Sequence, residues 1–476
     1  MEIEKLTIKE ARKLLDSKQL SAQELSENYL KNIEAKNKDL NVYLEVYDDV
    51  LQQAEKAQKI INDGKSKDLT GIPLAIKDNI LIKGKRVSGA SKILENYKAT
   101  YTATATQKLI DQGAVFLGRV NMDEFAMGGS TENSAFGVTK NPCNPAHVAG
   151  GSSGGSAAAV SAQMALGALG SDTGGSVREP ASFCGVVGLK PTYGSVSRYG
   201  LMAMGSSLDI IGPITKTVSD AEIIFNAIKG KDVFDSTSIT FPTSSALKKE
   251  EKITIGVPYH ILEQEGISED VRKNFDESVA KIKDLGFEIK DIKLPNIDKS
   301  LAIYYIIMPA EVSSNMARFD GIRYGFSADG ADLLDVYEKS KGQGFGKEVR
   351  RRILLGTYVL SSGYYDTYYG KAMSARKIIS KEFAEAFKNV DAILTPTTPS
   401  PAWKIGEKTS PLESYLIDIF TVTANIVGAP AISLPSGFVK IDGEDQSVGL
   451  PLGIQFMSPH MSEDLLFYIG KKFLGE

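Results

Sequence analysis

Histidine is scarce in this chain, with only His147, His260 and His460 among 476 residues. The usual base of a catalytic serine is histidine, so serine chemistry here must draw on one of these three or on another residue type. Cysteine is scarcer still. Cys143 and Cys184 have no metal-ligand spacing and fit a reducing, cytosolic setting. No uninterrupted apolar run approaches the ~18 residues that a membrane span needs. The opening MEIEKLTIKEARKLL is charged throughout, without the apolar centre of a signal peptide. Positive charge is not in excess. With 55 Lys and Arg against 59 Asp and Glu the net charge is −4, which argues against a nucleic-acid surface over much of the chain. No GxxxxGK[ST] phosphate loop is present, so any ATP-dependent step belongs elsewhere.

Glycine, by contrast, is plentiful, and it concentrates between Ala149 and Lys190, AGGSSGGSAAAVSAQMALGALGSDTGGSVREPASFCGVVGLK. Two glycine–serine turns, Gly150–Gly155 and Thr173–Ser176, flank a small-residue helical run and a short apolar run. Glycine lets a second backbone or a ligand come close, and consecutive N–H groups in such a turn form an anion-binding concavity. Ser176 at the end of that concavity is positioned to attack a carbonyl whose developing oxyanion meets the turn's amides. Ser176 is therefore the candidate nucleophile, with Gly174-Gly175 as part of its oxyanion hole.

The base is expected to be Lys77. In GIPLAIKDN, residues 71–79, an apolar run leads straight into one lysine, the pattern of a buried strand ending at a site. Burial disfavours the ammonium, which turns a lysine into a base near neutral pH. Serine–lysine variants of the triad are established chemistry, and Ser152 is placed to relay the proton between Ser176 and Lys77.

Other readings compete. GxSxG matches around both Ser152 and Ser153, as in the nucleophile elbow of α/β-hydrolases, but His260 or His460 would have to serve as base and neither lies in a motif. GGSSGG alone is often a helix N-cap, and Ser176 alone a turn serine; their joint occurrence with a strand-end lysine favours the site. Cys184 sits in an apolar run and reads as an inert buried thiol. His147 has no second ligand nearby, so no metal site is assigned. Asp172 and Arg178 read as a charged brace around the turn.

AIKDN, GGSSGGSAAAV and GSDTGGSVREPASFCGVVGLKPTYG together resemble the amidase signature family, in the family's order. The resemblance implies an α/β fold, a large mixed twisted sheet covered by helices on both faces. It implies a Ser–Ser–Lys triad on Lys77, Ser152 and Ser176, a cis peptide bond before Ser152, and oxyanion amides on Thr173, Gly174, Gly175 and Ser176. Within the family the chain looks most like the glutamine-hydrolysing members that serve tRNA-dependent amidotransferases. That likeness implies glutamine as substrate, with Arg352 on its α-carboxylate, Asp418 on its ammonium and Tyr304 lining the pocket; Arg350 and Arg351 leave the arginine register open by one. Met127, Gly128 and Ser130 would lie beside the substrate. It further implies no cofactor in this chain, and ATP and Mg2+ on a partner. The partners it implies are the amidotransferase B and C subunits, in a heterotrimer that reaches tRNA through the B subunit. No membrane and a cytoplasmic location are implied as well. Two rivals are a stand-alone amidase acting on another small or fatty amide and a non-catalytic tRNA-binding scaffold, which the low positive charge disfavours.

Along the chain, one amidase domain is expected. Residues 1–63 read as a helical cover, with capping boxes at Thr7 and Ser21, and 64–235 as the catalytic core. In that core a strand, a helix at Ala103–Gln112 and a strand at 114–118 imply largely parallel pairing. Residues 236–252 read as a surface connection, with a solvated Lys248–Lys252 cluster. A second α/β portion, 253–476, is expected to complete the sheet and pocket. Helices are expected near 269–285 and 347–355, strands at 287–294 and 392–396, and a helix followed by a strand within 415–434.

Overall fold

A computed structural model describes residues 5–241, 252–408, 410–440 and 449–476. The Lys248–Lys252 cluster, except Lys252, lies outside them, as does most of the 236–252 connection. Among the described residues eleven strands form one sheet: β1 (Tyr43–Val46), β2 (Pro73–Lys77), β3 (Val115–Val120), β4 (Gly167–Asp172), β5 (Val187–Lys190), β6 (Ile210–Thr215), β7 (Thr254–Val257), β8 (Glu288–Asp291), β9 (Ala392–Pro396), β10 (Ala431–Lys440) and β11 (Gly449–Met457). Their order is β1-β3-β2-β4-β6-β5-β10-β11-β9-β7-β8, so strands from 64–235 and from 253–476 share one sheet.

The expected β–α–β rhythm holds locally. β2 pairs in parallel with β3 and β4, and β7 with β8 and β9. The remaining neighbours are antiparallel, so the sheet is mixed rather than largely parallel. The correction has a simple cause. Parallel neighbours need a crossover connection, whereas β4, β5 and β6 fold back on one another and β10 and β11 pair as an antiparallel ribbon.

β2, β3, β4, β6 and β9 are buried along their whole length, as strands covered on both faces must be. The N-terminal segment is not purely helical. Its helices at Ile8–Asp16 and Ala22–Leu40 start at the Thr7 and Ser21 capping boxes, but β1 then adds an edge strand against β3. β4, the sequence GALGSD, carries no strand-forming signal of its own. Its small residues let the helix Gly154–Ser161 lie close, and Ser156 donates to the Leu169 carbonyl at 3.0 Å. β2 and β4 both end, Lys77 beside Asp172, under the two glycine–serine turns.

Candidate active site

Lys77 leaves the end of β2 fully buried. Its Nζ lies 2.7 Å from Ser152 Oγ, 2.8 Å from Ser153 Oγ, 2.9 Å from Ser171 Oγ and 3.2 Å from the Ser171 carbonyl. Burial pulls its pKa down to about 7, against the opposing pull of Asp123, Asp172 and Asp209. A neutral amine has two N–H donors and one lone pair, and the surroundings sort these out. Ser153 donates its own hydroxyl to the Ser171 carbonyl at 3.2 Å, while Ser171 Oγ also accepts from Asn79 Nδ2 at 2.9 Å. Both hydroxyls can therefore accept from Lys77. Ser152, at the shortest distance, is the hydroxyl left to donate to the lone pair.

The peptide bond between Gly151 and Ser152 is cis. The two turns are tied by the Ser153 amide donating to the Ser176 carbonyl at 3.1 Å. Ser152 is completely enclosed, while Ser176 keeps 8% of its surface open, so of the two only Ser176 meets an incoming molecule. Two of the three histidine rings are otherwise occupied. His260 and His460 each bond a backbone carbonyl, that of Leu294 at 3.2 Å and that of Val427 at 2.9 Å, and His147 sits on an isolated bridge with Lys404. Cys184 donates to the Ala149 carbonyl at 3.3 Å and burial pushes its thiol pKa well up, which keeps it unreactive.

Asp172 shapes the nucleophile turn. It accepts from the amides of Gly175 at 2.9 Å and Val177 at 3.2 Å. The Gly175 amide is engaged by this carboxylate, while Thr173, Gly174 and Ser176 are the turn's amides without a protein acceptor among the described residues. Arg178 holds Asp172 from the other side. Its five N–H groups meet Asp172 twice (3.1 and 3.0 Å), Thr421 O (2.9 Å), Gln455 Oε1 (2.9 Å) and Asn425 Oδ1 (2.7 Å). Burial works to raise the Asp172 carboxyl, but Arg178 outweighs it and holds the pKa near 2. Because both partners are fully buried, Arg178→Met should cost about 3–5 kcal/mol by stranding the carboxylate. Chemical denaturation of the purified variant measures this; a change under ~1 kcal/mol would show that the brace carries no such weight.

Beside the turn lies a cavity of about 250 Å3 lined by Gly128, Ser130, Tyr305, Arg352, Trp403 and Asp418, among others. The helix Ser300–Met316 and the helix Lys347–Leu360 build one side of it. They pack closely because Gly356 faces the Pro309 carbonyl, where a Cβ would come within 1.8 Å of the oxygen. Of the three arginines on the second of these helices, Arg352 is buried and lines the cavity, Arg351 also lines it but is partly exposed, and Arg350 points outward to the Gly342 carbonyl at 3.4 Å. Arg352 Nε donates to Glu348 Oε1 at 2.8 Å and the guanidinium lies over the rings of Tyr305 and Tyr415. Asp418 accepts from Tyr305 Oη at 2.8 Å, and burial lifts its pKa to about 7 against Tyr305 and Arg352. Tyr304, one residue away, is packed on the nucleophile turn instead, where a Cβ on Gly174 would come within 2.6 Å of its ring. Thr421 Oγ1 closes the same turn by donating to the Gly174 carbonyl at 2.6 Å.

The loop 128–133 is held by Asp123, which accepts from the amides of Thr131 at 2.9 Å, Asn133 at 3.1 Å and Ser130 at 3.3 Å. Met127 is buried behind the wall, its carbonyl accepting from Asn133 at 3.2 Å. Sequence reasoning met Ser153 only as a rival nucleophile and passed over Ser171, Asp123, Tyr305, Glu348 and Tyr415. Ser153 and Ser171 stood inside the motifs already singled out; the others gather from separate segments and carry no local signal.

This arrangement fits a serine amide hydrolase with a lysine base in place of histidine, and the chain belongs to the amidase family, which matches residues 24–467. It is 50% identical to the A subunit of glutamyl-tRNA(Gln) amidotransferase from Ruminiclostridium cellulolyticum, over 100% of this chain and 98% of that one. The crystal structure of the glutamyl-tRNA(Gln) amidotransferase A subunit from Thermotoga maritima is similar at 43% identity and a TM-score of 0.80, covering 99% of this chain and 94% of that one. The native peptide amidase of Stenotrophomonas maltophilia shares the fold at 27% identity and a TM-score of 0.81, covering 99% and 96%. No helix among the described residues is long and apolar enough to cross a membrane.

Proposed function

We propose that this chain is the glutamine-hydrolysing component of a tRNA-dependent amidotransferase, releasing ammonia for the amidation of Glu-tRNA(Gln) or Asp-tRNA(Asn). The observation that carries this reading is a buried lysine on Ser152, beneath the Ser176 turn, next to a cavity lined by both a buried arginine and a half-buried aspartate. A free amino acid needs both of the latter: the planar fork of Arg352 suits an α-carboxylate, and Asp418 suits an α-ammonium. The full-length likeness to the two amidotransferase chains supports the same substrate.

In this mechanism neutral Lys77 takes the Ser152 proton while Ser152 takes that of Ser176. The Ser176 oxygen attacks the glutamine carboxamide carbon, and the amides of Thr173, Gly174 and Ser176 receive the oxyanion. The relay then runs backwards, protonating the nitrogen so that ammonia leaves and a γ-glutamyl ester remains on Ser176. Water, deprotonated by the same path, hydrolyses the ester to glutamate. ATP and Mg2+ act on the partner that activates the tRNA-borne carboxylate. The B and C subunits complete a heterotrimer in the cytoplasm, with tRNA bound through the former.

The test is hydrolysis of glutamine and of simple amides by the purified chain, alone and with co-purified partners. Turnover of simple or fatty amides without glutamine turnover would favour a stand-alone amidase. The pH dependence follows from Lys77. Only the free amine accepts a proton, and its fraction grows as pH rises through the folded value near 7. Activity should therefore fall about tenfold per unit below that point and level off above it, while histidine-directed modification leaves the rate unchanged. A rate limb that disappears in His147→Gln would return the base to histidine.

A further inference from the structure

Glu179 is a buried carboxyl next to the two turns, and the mechanism above does not use it. It opens the helix Arg178–Cys184, three residues after Ser176, and is 1% exposed. Its backbone N–H donates to the Gly175 carbonyl at 2.8 Å, and Oε2 accepts from the Gly151 amide at a long 3.4 Å. On the cavity side it faces Gly129, where a Cβ would begin 3.4 Å from Oε2. Glu179 thus stands where the nucleophile turn, the Ser152 turn and the cavity wall meet. Its Oε1 has no hydrogen-bond partner, and no cation pairs with the carboxyl among the described residues.

A buried carboxylate with one long hydrogen bond and no counter-ion is expensive. The charged groups that weigh most on it make ionisation worse: Asp418 and Asp123 repel more than Lys408 attracts. Burial, first, and those two carboxylates, next, push its pKa well up. Protonation removes the charge and also gives the carboxyl a donor. A free amino-acid amide offers such a donor the oxygens of its α-carboxylate, which a simple amide lacks.

Resting on the glutaminase reading, we infer that Glu179 is a further specificity-determining residue of the glutamine site, an uncharged acid whose unpaired oxygen hydrogen-bonds the bound substrate between Asp418 and Ser176. It departs from Asp418 in kind: the latter accepts from the ammonium, whereas Glu179, beside Gly129, donates to a carboxylate oxygen of the same substrate.

The test compares Glu179→Gln and Glu179→Leu in the full chain, with glutamine and propionamide as substrates. The carboxamide of E179Q keeps the shape and a donor but cannot ionise, so this variant should stay within about threefold of wild type in kcat/KM for glutamine. E179L should raise KM for glutamine about tenfold or more and change propionamide turnover far less. An unchanged KM for glutamine in E179L would overturn the assignment. So would E179Q falling as far as E179L, which would make the charge the required feature. Equal losses on both substrates in E179L would show a purely structural role and overturn it too. Wild-type turnover of propionamide with none of glutamine would sink the glutaminase reading and this assignment together. Normal wild-type glutamine turnover beside an indifferent E179L sinks the assignment alone.

Discussion

Ser176→Ala should reduce glutamine turnover by roughly ten-thousand-fold or more, about 5 kcal/mol of transition-state stabilisation, and no γ-glutamyl adduct should accumulate on the protein. The oxygen at position 176 is the atom that forms the ester, so nothing else in the site replaces it. Ser152→Ala and Lys77→Ala should come close to the same loss, because the Lys77–Ser152 contact of 2.7 Å is the proposed outlet for the Ser176 proton. The triple variant should be scarcely worse than any single one, since residues that act as one unit are strongly non-additive. Intact-protein mass spectrometry after mixing with glutamine gives the direct readout. A Ser176→Ala protein that still carried the adduct would move the nucleophile to Ser152 or Ser153. Losses that simply multiplied would break the single proton path.

How much of this was legible in the sequence depended on whether the signal was local. Lys77 at the end of an apolar run, and the two glycine–serine turns, are each contiguous in sequence and read directly. The capping boxes at Thr7 and Ser21 were equally plain, because a cap is set within four residues. β1 was hidden because four residues after a nineteen-residue helix offer no period to read. β4 was hidden for a different reason: GALGSD is a strand only because β2 and β6 pair on either side of it. The arginine register stayed open by one position on a similar ground. Arg350, Arg351 and Arg352 are identical in type, and the one that turns inward is the one sharing a buried face with Val349, Gly356 and Val359. Asp123, Tyr305 and Glu348 belong to the same class, residues that meet the site from elements far apart in sequence.

Arg352→Ala should cut kcat/KM for glutamine by roughly 10- to 100-fold, from the loss of a charge-assisted bond of about 1.5–3 kcal/mol. Hydrolysis of a simple amide without α-carboxylate or α-ammonium should change far less, because it never makes that contact. Three features suit Arg352 to the task. It is buried to 4% exposure, its Nε is fixed by Glu348 at 2.8 Å, and its plane rests on Tyr305 and Tyr415, whose own rings stack with centroids 4.2 Å apart. Burial alone would weaken its charge, yet the carboxylate of Glu348 favours the protonated guanidinium, so it remains a cation at every working pH. The Nε–Glu348 bond leaves the Nη groups to the ligand; Nη1 otherwise meets only the Met308 sulfur, at 3.5 Å. Arg351→Ala serves as the neighbouring control, since that side chain is 42% exposed at the rim, and it should cost less than about threefold. Two substrates on one protein separate recognition from folding, because a collapsed helix would harm both. Equal losses on glutamine and the simple amide would remove Arg352 from substrate recognition, while the serine–lysine chemistry at Ser176 would stand untouched.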